Sequence, residues 1–527
     1  MTNRLMMFCA ACLLSLPALG ASRDETLVVV VESGPNTMDI QAVGANRPSY
    51  QVAVNLYDRL VGYGSKTLPD GTLSYDYSNL TPELAESWEM AEDGMSVTFH
   101  LRKDATFWDG APVTADDVKW SLDRAVSVGG FPTVQMSAGS LEKPEQFEVV
   151  DAHTVKINFI RKDKLTLPDL GVPVPIIFNS KAAMKHATPE DPWAREYTKN
   201  TPLGGGAYML ERWDPGQQTI YKRFDDWKSG PLPKMKRVVI REVPSAANRR
   251  ALFERGDADI SLDLPAKDFK ELAADQRYKV AGVPIENGIW YLGMSVRQKP
   301  FDDVRVRQAI AYAVPYESLI SAAAYGRGVP LFGDTDGVDA SWPQPHPYTT
   351  NLDKARALMK EAGYEDGFDA PLFLDLGNAT LGEPAALLIQ ESLKKIGIRT
   401  KIEKVPGSNW RAKMLTKDMP LHVDFFSGWL NYPEYFFFWA YDGADRVFNT
   451  MSYANPKLDE LILKARFESD PALYTKTVQD MVGIAWDEMP RVPLWQPYLD
   501  VALQKNVFGY QYWFHRQLDV RGIYKKN

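Results

Sequence analysis

The chain has very little cysteine, and both cysteines lie near its N-terminus. Only Cys9 and Cys12 occur in 527 residues, inside an uncharged apolar run over residues 5–16. Small residues follow at positions 18 and 20, so residues 1–21 are predicted to be a secretory signal peptide that is removed. The mature chain would then contain no thiol, which excludes disulfide and cysteine chemistry. A lipid anchor on Cys12 is the alternative, although the surrounding residues fit a lipoprotein signal only loosely.

Long apolar runs, nucleotide signatures and metal-type spacings are also absent. No later stretch approaches the ~20 uncharged apolar residues of a membrane-spanning helix, so the mature chain is expected to be soluble. No Gly-Lys pair exists, which excludes a P-loop, and no Gly-x-Ser-x-Gly elbow occurs. Six histidines are scattered without the spacing of a zinc site. The net charge of −8 argues against a nucleic-acid partner, because no basic patch is available to neutralise phosphates.

Strand and helix patterns alternate along the chain, which predicts an α/β protein. Residues 25–32 form a near-continuous apolar strand pattern, and residues 97–101 alternate apolar and polar side chains. Thr114 precedes two acids and a mostly apolar stripe at Val118, Ser121, Leu122 and Ala125, which predicts a capped helix. A length of 527 residues predicts two or three domains.

The segment from residue 81 to residue 119 is the most specific part of the sequence. It reads PELAESWE, then TFHLRKDATFWDGAPVTADDVK after a turn. This block resembles the signature of the family 5 extracytoplasmic solute-binding proteins of ABC importers, which include oligopeptide, dipeptide and nickel binders. Residues 201–208 (TPLGGGAY) and 300–309 (PFDDVRVRQA) resemble two further motifs of that family. Together these matches cover most of the mature chain.

The resemblance implies a two-lobed periplasmic-binding-protein fold of class II type, with an extra subdomain, around a central ligand cleft. By that resemblance, lobe I takes residues 22–50, 200–284 and 492–527, the extra subdomain takes residues 51–199, and lobe II takes residues 285–491. Residues 285–294 and 493–498 are the expected crossovers between the lobes.

The resemblance also implies a role in import and not in catalysis. The chain would be a periplasmic protein that captures a peptide or peptide-like solute by hinge closure. It would deliver that solute to the transmembrane permease subunits of an ABC importer, which work with separate ATPase chains. A monomer without a cofactor is expected, and nickel with a chelator, which some relatives bind, stays open.

The densest aromatic segment, residues 425–439, contains a loop that departs from the family. The family's matching loop carries an Asp that binds the α-ammonium group of a peptide. Here the loop is one residue shorter, and Asn431 stands at that position. Asn is neutral and cannot form the charge-assisted bond to an ammonium group, unless Glu434, Asp424, Asp442 or Glu286 compensates. An oligosaccharide, an opine or another non-peptide solute is therefore the alternative.

Twelve residues are predicted to contact the solute, because aromatic rings can stack on it while polar groups orient it. They are Asn36, Thr37, Glu286, Trp290, Tyr291, Arg327, Trp342, Trp410, Trp429, Asn431, Tyr432 and Trp495. Arg327 is a candidate carboxylate partner through its planar fork. The alternatives are a structural salt bridge for Arg327 and buried core positions for the aromatic residues.

Two other function classes stay open at this point. A secreted hydrolase could use paired carboxylates, although a chain of this length always offers such pairs. A scaffold or chaperone of the cell envelope could use the aromatic segment to contact its partners.

Overall fold

The structure is a computed structural model that describes residues 21–42, 44–333, 342–443 and 447–526. Residues 1–20 of the predicted signal peptide, with Cys9 and Cys12, lie outside the described residues. Within the described ranges, no helix combines the length and the apolar character needed to cross a bilayer.

Strands and helices alternate through the described chain. The strands are β1 (Thr26–Val31), β2 (Val61–Thr67), β3 (Leu73–Pro82), β4 (Ala85–Met90), β5 (Ser96–Leu101), β6 (Phe147–Asp151), β7 (Thr154–Asn158), β8 (Tyr208–Asp214), β9 (Gln218–Arg223), β10 (Arg237–Glu242), β11 (Ile260–Ser261), β12 (Tyr278–Pro284), β13 (Gly288–Met294), β14 (Gly328–Pro330), β15 (Phe368–Asp375), β16 (Ile398–Val405), β17 (Leu421–Ser427), β18 (Arg491–Gln504), β19 (Val507–Phe508), β20 (Gln511–Tyr512) and β21 (Tyr524–Lys525). The α-helices are α1 (Ser49–Leu56), α2 (Ala115–Ser127), α3 (Gly130–Ala138), α4 (Thr166–Asp169), α5 (Ser180–Met184), α6 (Arg195–Thr198), α7 (Ala246–Glu254), α8 (Ala266–Ala274), α9 (Val304–Ala313), α10 (Tyr316–Ser318), α11 (Leu352–Glu361), α12 (Ala379–Lys394), α13 (Gly407–Thr416), α14 (Pro433–Ala440), α15 (Pro456–Phe467) and α16 (Pro471–Glu488).

One twelve-stranded sheet runs through both lobes, in the order β16-β15-β17-β13-β18-β11-β1-β10-β9-β8, with β12 and β14 also paired to β18. We call the part around β1, β8–β12 lobe I and the part around β13 and β15–β17 lobe II. The long strand β18 pairs with β13 at residues 491–495 and with β12 at residues 498–504. Strand β18 therefore crosses from one lobe to the other. The chain crosses a second time beside it, between β12 and β13. The predicted crossover segment 285–294 covers the connection from β12 to β13 and β13 itself, and the segment 493–498 lies on β18.

Residues 51–199, the predicted extra subdomain, contain an antiparallel sheet in the order β4-β5-β7-β6, against which α2 packs. The predicted strand at 97–101 and the predicted helix after Thr114 are both confirmed, as β5 and α2. Thr114 and Asp117 form a capping box, and the predicted stripe of Val118, Ser121, Leu122 and Ala125 is buried. Local hydrogen bonding and burial of one face explain why this segment is helical.

The Gly-Gly-Gly turn before β8 lies directly against the end of α1. A Cβ atom on Gly206 would lie 2.5 Å from the carbonyl carbon of Leu56 and 2.5 Å from the backbone nitrogen of Tyr57. No side chain fits in that space, so the turn needs glycine for close backbone approach.

Candidate functional site

A cleft between the lobes contains two adjoining cavities. The first has a volume of about 230 Å³ and is lined by residues 262–264 and 510–518 on the lobe I side and by residues 377–381 of lobe II. The second has a volume of about 250 Å³ and is lined by residues 45–47 on one side and 425–429 on the other. Arg516 lines both, so the cavities are two compartments of one interlobe cleft.

The first cavity has an acidic wall. Glu32, Asp263 and Asp500 line it, and the Glu32 backbone N–H donates to Asp263 Oδ2 at 3.1 Å. Arg327 offsets one of these acids, since its Nε donates to Asp500 Oδ2 at 3.1 Å and its Nη2 bonds the other carboxylate oxygen. Partial burial raises the pKa of Glu32, with Arg249 opposing and Asp263 adding to the effect. This compartment can accept a cationic group.

The second cavity has aromatic walls and three arginines. Arg47, Arg411 and Arg516 line it, and no Asp or Glu appears among its described lining residues. The Arg516 guanidinium lies over the Phe425 ring at 4.5 Å, and that of Arg411 lies over the Phe448 ring at 5.4 Å. This compartment is electropositive.

Side chains from the two sides of the cleft meet around the second cavity. The Trp429 ring of lobe II packs edge-on against Tyr50 at 5.1 Å and against Phe131 of the subdomain at 5.2 Å. The Tyr435 hydroxyl donates to Gln135 Oε1 at 2.7 Å. The two sides of the cleft therefore touch, and we call this arrangement the closed state.

A buried ion pair joins the subdomain to lobe II beyond the cavities. Arg466 on α15 donates from Nε and Nη2 to Asp163 Oδ2 at 2.8 Å and 2.6 Å. Its Nη2 also donates to the carbonyl oxygens of Ser137 and Ala138. The two charged side chains are 7% and 0% exposed, so this pair is shielded from water.

Three of the twelve residues predicted from the sequence line the cavities. Trp290 and Arg327 line the first, and Trp429 lines the second. Arg327 also makes the structural salt bridge to Asp500 that was its alternative role. Their contact with a solute stays a prediction.

The other nine residues lie outside the described linings of both cavities. Trp495 stacks behind Trp290, with ring centres 5.3 Å apart and planes 12° apart. Trp342 is buried against Phe436 in lobe II. The remaining placements are as follows: Asn36 bonds Asn46 and Gly44, Thr37 donates to the Lys199 carbonyl, Tyr291 lies under the Arg491 guanidinium, Trp410 bonds Asp424, and Tyr432 meets Tyr77 edge-on.

Asn431 and Glu286 form a polar contact of their own. Asn431 Nδ2 donates to Glu286 Oε2 at 3.3 Å, and Lys66 Nζ donates to Glu286 Oε1 at 3.0 Å. Lys66 therefore neutralises one of the four carboxylates that could have compensated for Asn431. This leaves Glu286 poorly suited to bind a ligand ammonium group in the closed state.

Asp424 is a buried carboxyl group between the first cavity and the lobe II core. Its Oδ1 accepts from Asn378, a lining residue, at 3.2 Å, and its Oδ2 accepts from Trp410 at 3.3 Å. Burial raises its pKa to about 7, and the nearby Asp375 adds to the effect. Among the described residues, no group of three or more His, Cys, Asp or Glu side chains is placed to hold a metal ion.

Sequence reasoning missed the three arginines of the second cavity and the acids Glu32 and Asp263 of the first. None of these five residues lies in one of the family motifs recognised in the sequence. Glu32 ends a buried strand at a Gly-Pro turn, a common place for a ligand-facing loop, and this was the one available signal. The arginines come from positions 47, 411 and 516, and no spacing along the chain relates them.

Known proteins resemble this chain over nearly its whole length. The family model described as "Bacterial extracellular solute-binding proteins, family 5 Middle" matches residues 79–447. The "Probable D,D-dipeptide-binding periplasmic protein DdpA" of Escherichia coli (strain K12) is 28% identical over 492 residues, which is 92% of this chain and 91% of the relative. The glutathione-binding protein GsiB of Salmonella choleraesuis (strain SC-B67) is 28% identical over 515 residues, covering 95% and 94% of the two chains.

Solved structures share the fold. The binding protein AgaA from A. tumefacien R10, in complex with agropinic acid, has a TM-score of 0.79 and 26% identity over 95% of this chain and 99% of that one. DppA from Helicobacter pylori, in complex with the peptide STSA, has a TM-score of 0.79 and 23% identity over 95% and 98% of the chains. The two-lobed fold is therefore confirmed, and by its family match the chain belongs to the bacterial extracellular solute-binding proteins of family 5.

Proposed function

We propose that this chain captures a peptide or peptide-like solute between its lobes and passes it unchanged to a membrane permease. The observation that carries the proposal is the closed cleft, whose two cavities take their walls from both lobes. A solute that contacts both walls stabilises the closed state over the open one, because the open state offers fewer of those contacts.

The protein acts in the periplasm, and its partners are the transmembrane subunits of an ABC importer. Support comes from the family, whose members are extracellular solute-binding proteins, and from relatives named for dipeptide and glutathione binding. The chain acts as a monomer and performs no reaction on its solute.

An opine or other non-peptide solute is the second candidate. Asn431 is neutral, Glu286 is paired with Lys66, and Glu434 is paired with Lys164, so these two carboxylates are already engaged. AgaA, a relative of the same fold, was solved with agropinic acid. Both observations favour a solute whose recognition does not depend on that loop.

Native mass spectrometry of the protein as purified from its periplasm tests the role and the solute class together. A single bound small molecule, released on denaturation with unchanged mass, is expected. Its addition back should raise the melting temperature in a concentration-dependent manner, since a ligand that binds only the folded state stabilises it. A converted product, or no bound species and no thermal shift across peptides, opines and oligosaccharides, would contradict the proposal.

A further inference from the structure

We propose that the second cavity holds the oxyanion groups of a solute with at least two acidic groups, so that this protein takes up an acidic solute and not a neutral dipeptide. The inference rests on the proposed function and specifies the chemical class of its solute.

The first argument is the charge of the second cavity. Arg47, Arg411 and Arg516 come from three separate segments and converge on about 250 Å³ of space. In the described chain, none of the three makes an ion pair, and their cation–π contacts use Phe425 and Phe448. By comparison, Arg124, Arg466 and Arg521 are each paired with a carboxylate. Arg47 and Arg411 are exposed and Arg516 is half-buried, so all three can reach a solute in the cleft. Three guanidinium groups around one cavity, with no carboxylate in its described lining, form a site suited to an anion.

The second argument is the backbone at Arg516. Its φ of 59° lies in the left-handed region, which residues with long side chains rarely adopt. A hydrogen bond from its N–H to the Trp513 carbonyl, at 2.8 Å, closes the local turn. Residues held in this region cluster at ligand-binding sites, where the surrounding structure compensates for the strain. Arg516 also stands at the junction of the two cavities, where it can reach a solute in either.

The third argument is the contrast between the compartments. Glu32 and Asp263 lie in the lining of the first cavity beside the shared Arg516, whereas the second cavity carries Arg47, Arg411 and Arg516 and no described acid. A zwitterion with one carboxylate would leave positive charge unmatched in the second cavity. Two or more carboxylates, or a phosphate ester, would match it through forked, charge-assisted bonds. An amine on the same solute would then point towards Glu32 and Asp263.

A competition experiment with defined probes tests the solute class. Purified protein, stripped of bound solute, is incubated with an equimolar mixture of Glu-Glu, Gln-Gln, Lys-Lys, citrate and phosphoserine, and the retained species are identified by native mass spectrometry. Glu-Glu and Gln-Gln have nearly the same shape but differ by two carboxylates. Retention of Glu-Glu or citrate assigns the site to carboxylates, and retention of phosphoserine alone assigns it to phosphate.

The other outcomes separate this inference from the function on which it rests. Retention of Gln-Gln or Lys-Lys in preference to every acidic probe would overturn the inference and leave the solute-binding role intact. Retention of no probe, from this mixture or from the broader panel, would count against both.

Arginine variants then test the location of the site. Arg47→Gln and Arg411→Gln should each weaken binding of the retained acid by about tenfold or more, because each removes a charged hydrogen-bonding partner. Arg255→Gln is the matched control, since it removes the same charge from a side chain that is 60% exposed and outside both cavities. Equal effects at Arg255 and at the cavity arginines would show a general charge effect and overturn the assignment. Melting temperatures of the variants without ligand separate loss of binding from loss of folding. A comparison of Arg516→Lys with Arg516→Gln does the same at Arg516.

Discussion

The ion pair between Arg466 and Asp163 should control how readily the lobes close. Arg466 lies on lobe II and Asp163 on the extra subdomain, and both side chains are almost fully shielded from water in the closed state. Arg466→Met keeps much of the apolar stem but leaves the Asp163 carboxylate buried without its cation. Removing one partner of a buried pair typically costs about 3–5 kcal/mol.

That cost falls on the closed state, because opening the cleft returns Asp163 to water. A penalty of about 3 kcal/mol corresponds to roughly a hundredfold shift of the equilibrium towards the open form. Solute affinity should fall by a similar factor if the free wild-type protein is mainly open. The lobes themselves should keep their folds, since each retains its own core.

Small-angle X-ray scattering and titration calorimetry measure the two consequences. The variant should show a larger radius of gyration at a given solute concentration and about a hundredfold weaker affinity. Lys476→Met is the control, because Lys476 pairs with Asp480 on the exposed surface of α16. The double variant Arg466→Met with Asp163→Leu should recover part of the affinity, since no unpaired charge remains. An unchanged radius and affinity in Arg466→Met would refute the reasoning.

Three further predictions test the buried carboxyl group of Asp424, the close-packed turn at Gly206 and the loop in which Asn431 replaces an acid. Burial holds a proton on Asp424 until about pH 7, so wild-type stability should fall by up to roughly 4 kcal/mol between pH 4 and pH 8 through this group. Urea unfolding of Asp424→Asn should show a flatter pH dependence, and an unchanged slope would contradict the burial argument. Gly206→Ala should destabilise the fold by about 3 kcal/mol or more in thermal unfolding. Gly483 is the control, because it lies in a helix with free space around it, and Gly483→Ala should be neutral or stabilising by less than about 1 kcal/mol. Asn431→Asp places a second carboxylate beside Glu286, so its loss of stability, about 1 kcal/mol, should be seen at pH 8 and nearly vanish at pH 3.5, where the new carboxyl group is largely protonated. Equal losses at both pH values would exclude this contact.

Local patterns were enough to predict many elements of the fold. The alternation at residues 97–101 and the capped, one-sided helix after Thr114 are confirmed, because these features depend on neighbours within a few residues. The site was less accessible to the same reasoning. Trp290 and Trp495 look alike in the sequence, yet one lines the first cavity and the other lies behind it in the core. Which face of a strand meets the cleft depends on its partners in the sheet.

The sequence by itself determined the family and the two-lobed α/β architecture, since both are encoded in contiguous motifs and short-range periodicity. It also established that Asn431 replaces an acid. Only the tertiary structure decided the electrostatics of the cleft. Arg47, Arg411 and Arg516 come together because β18 and the β12–β13 crossing bring the two lobes face to face. Charge convergence of this kind is a long-range property, so no local pattern in the chain could have predicted it.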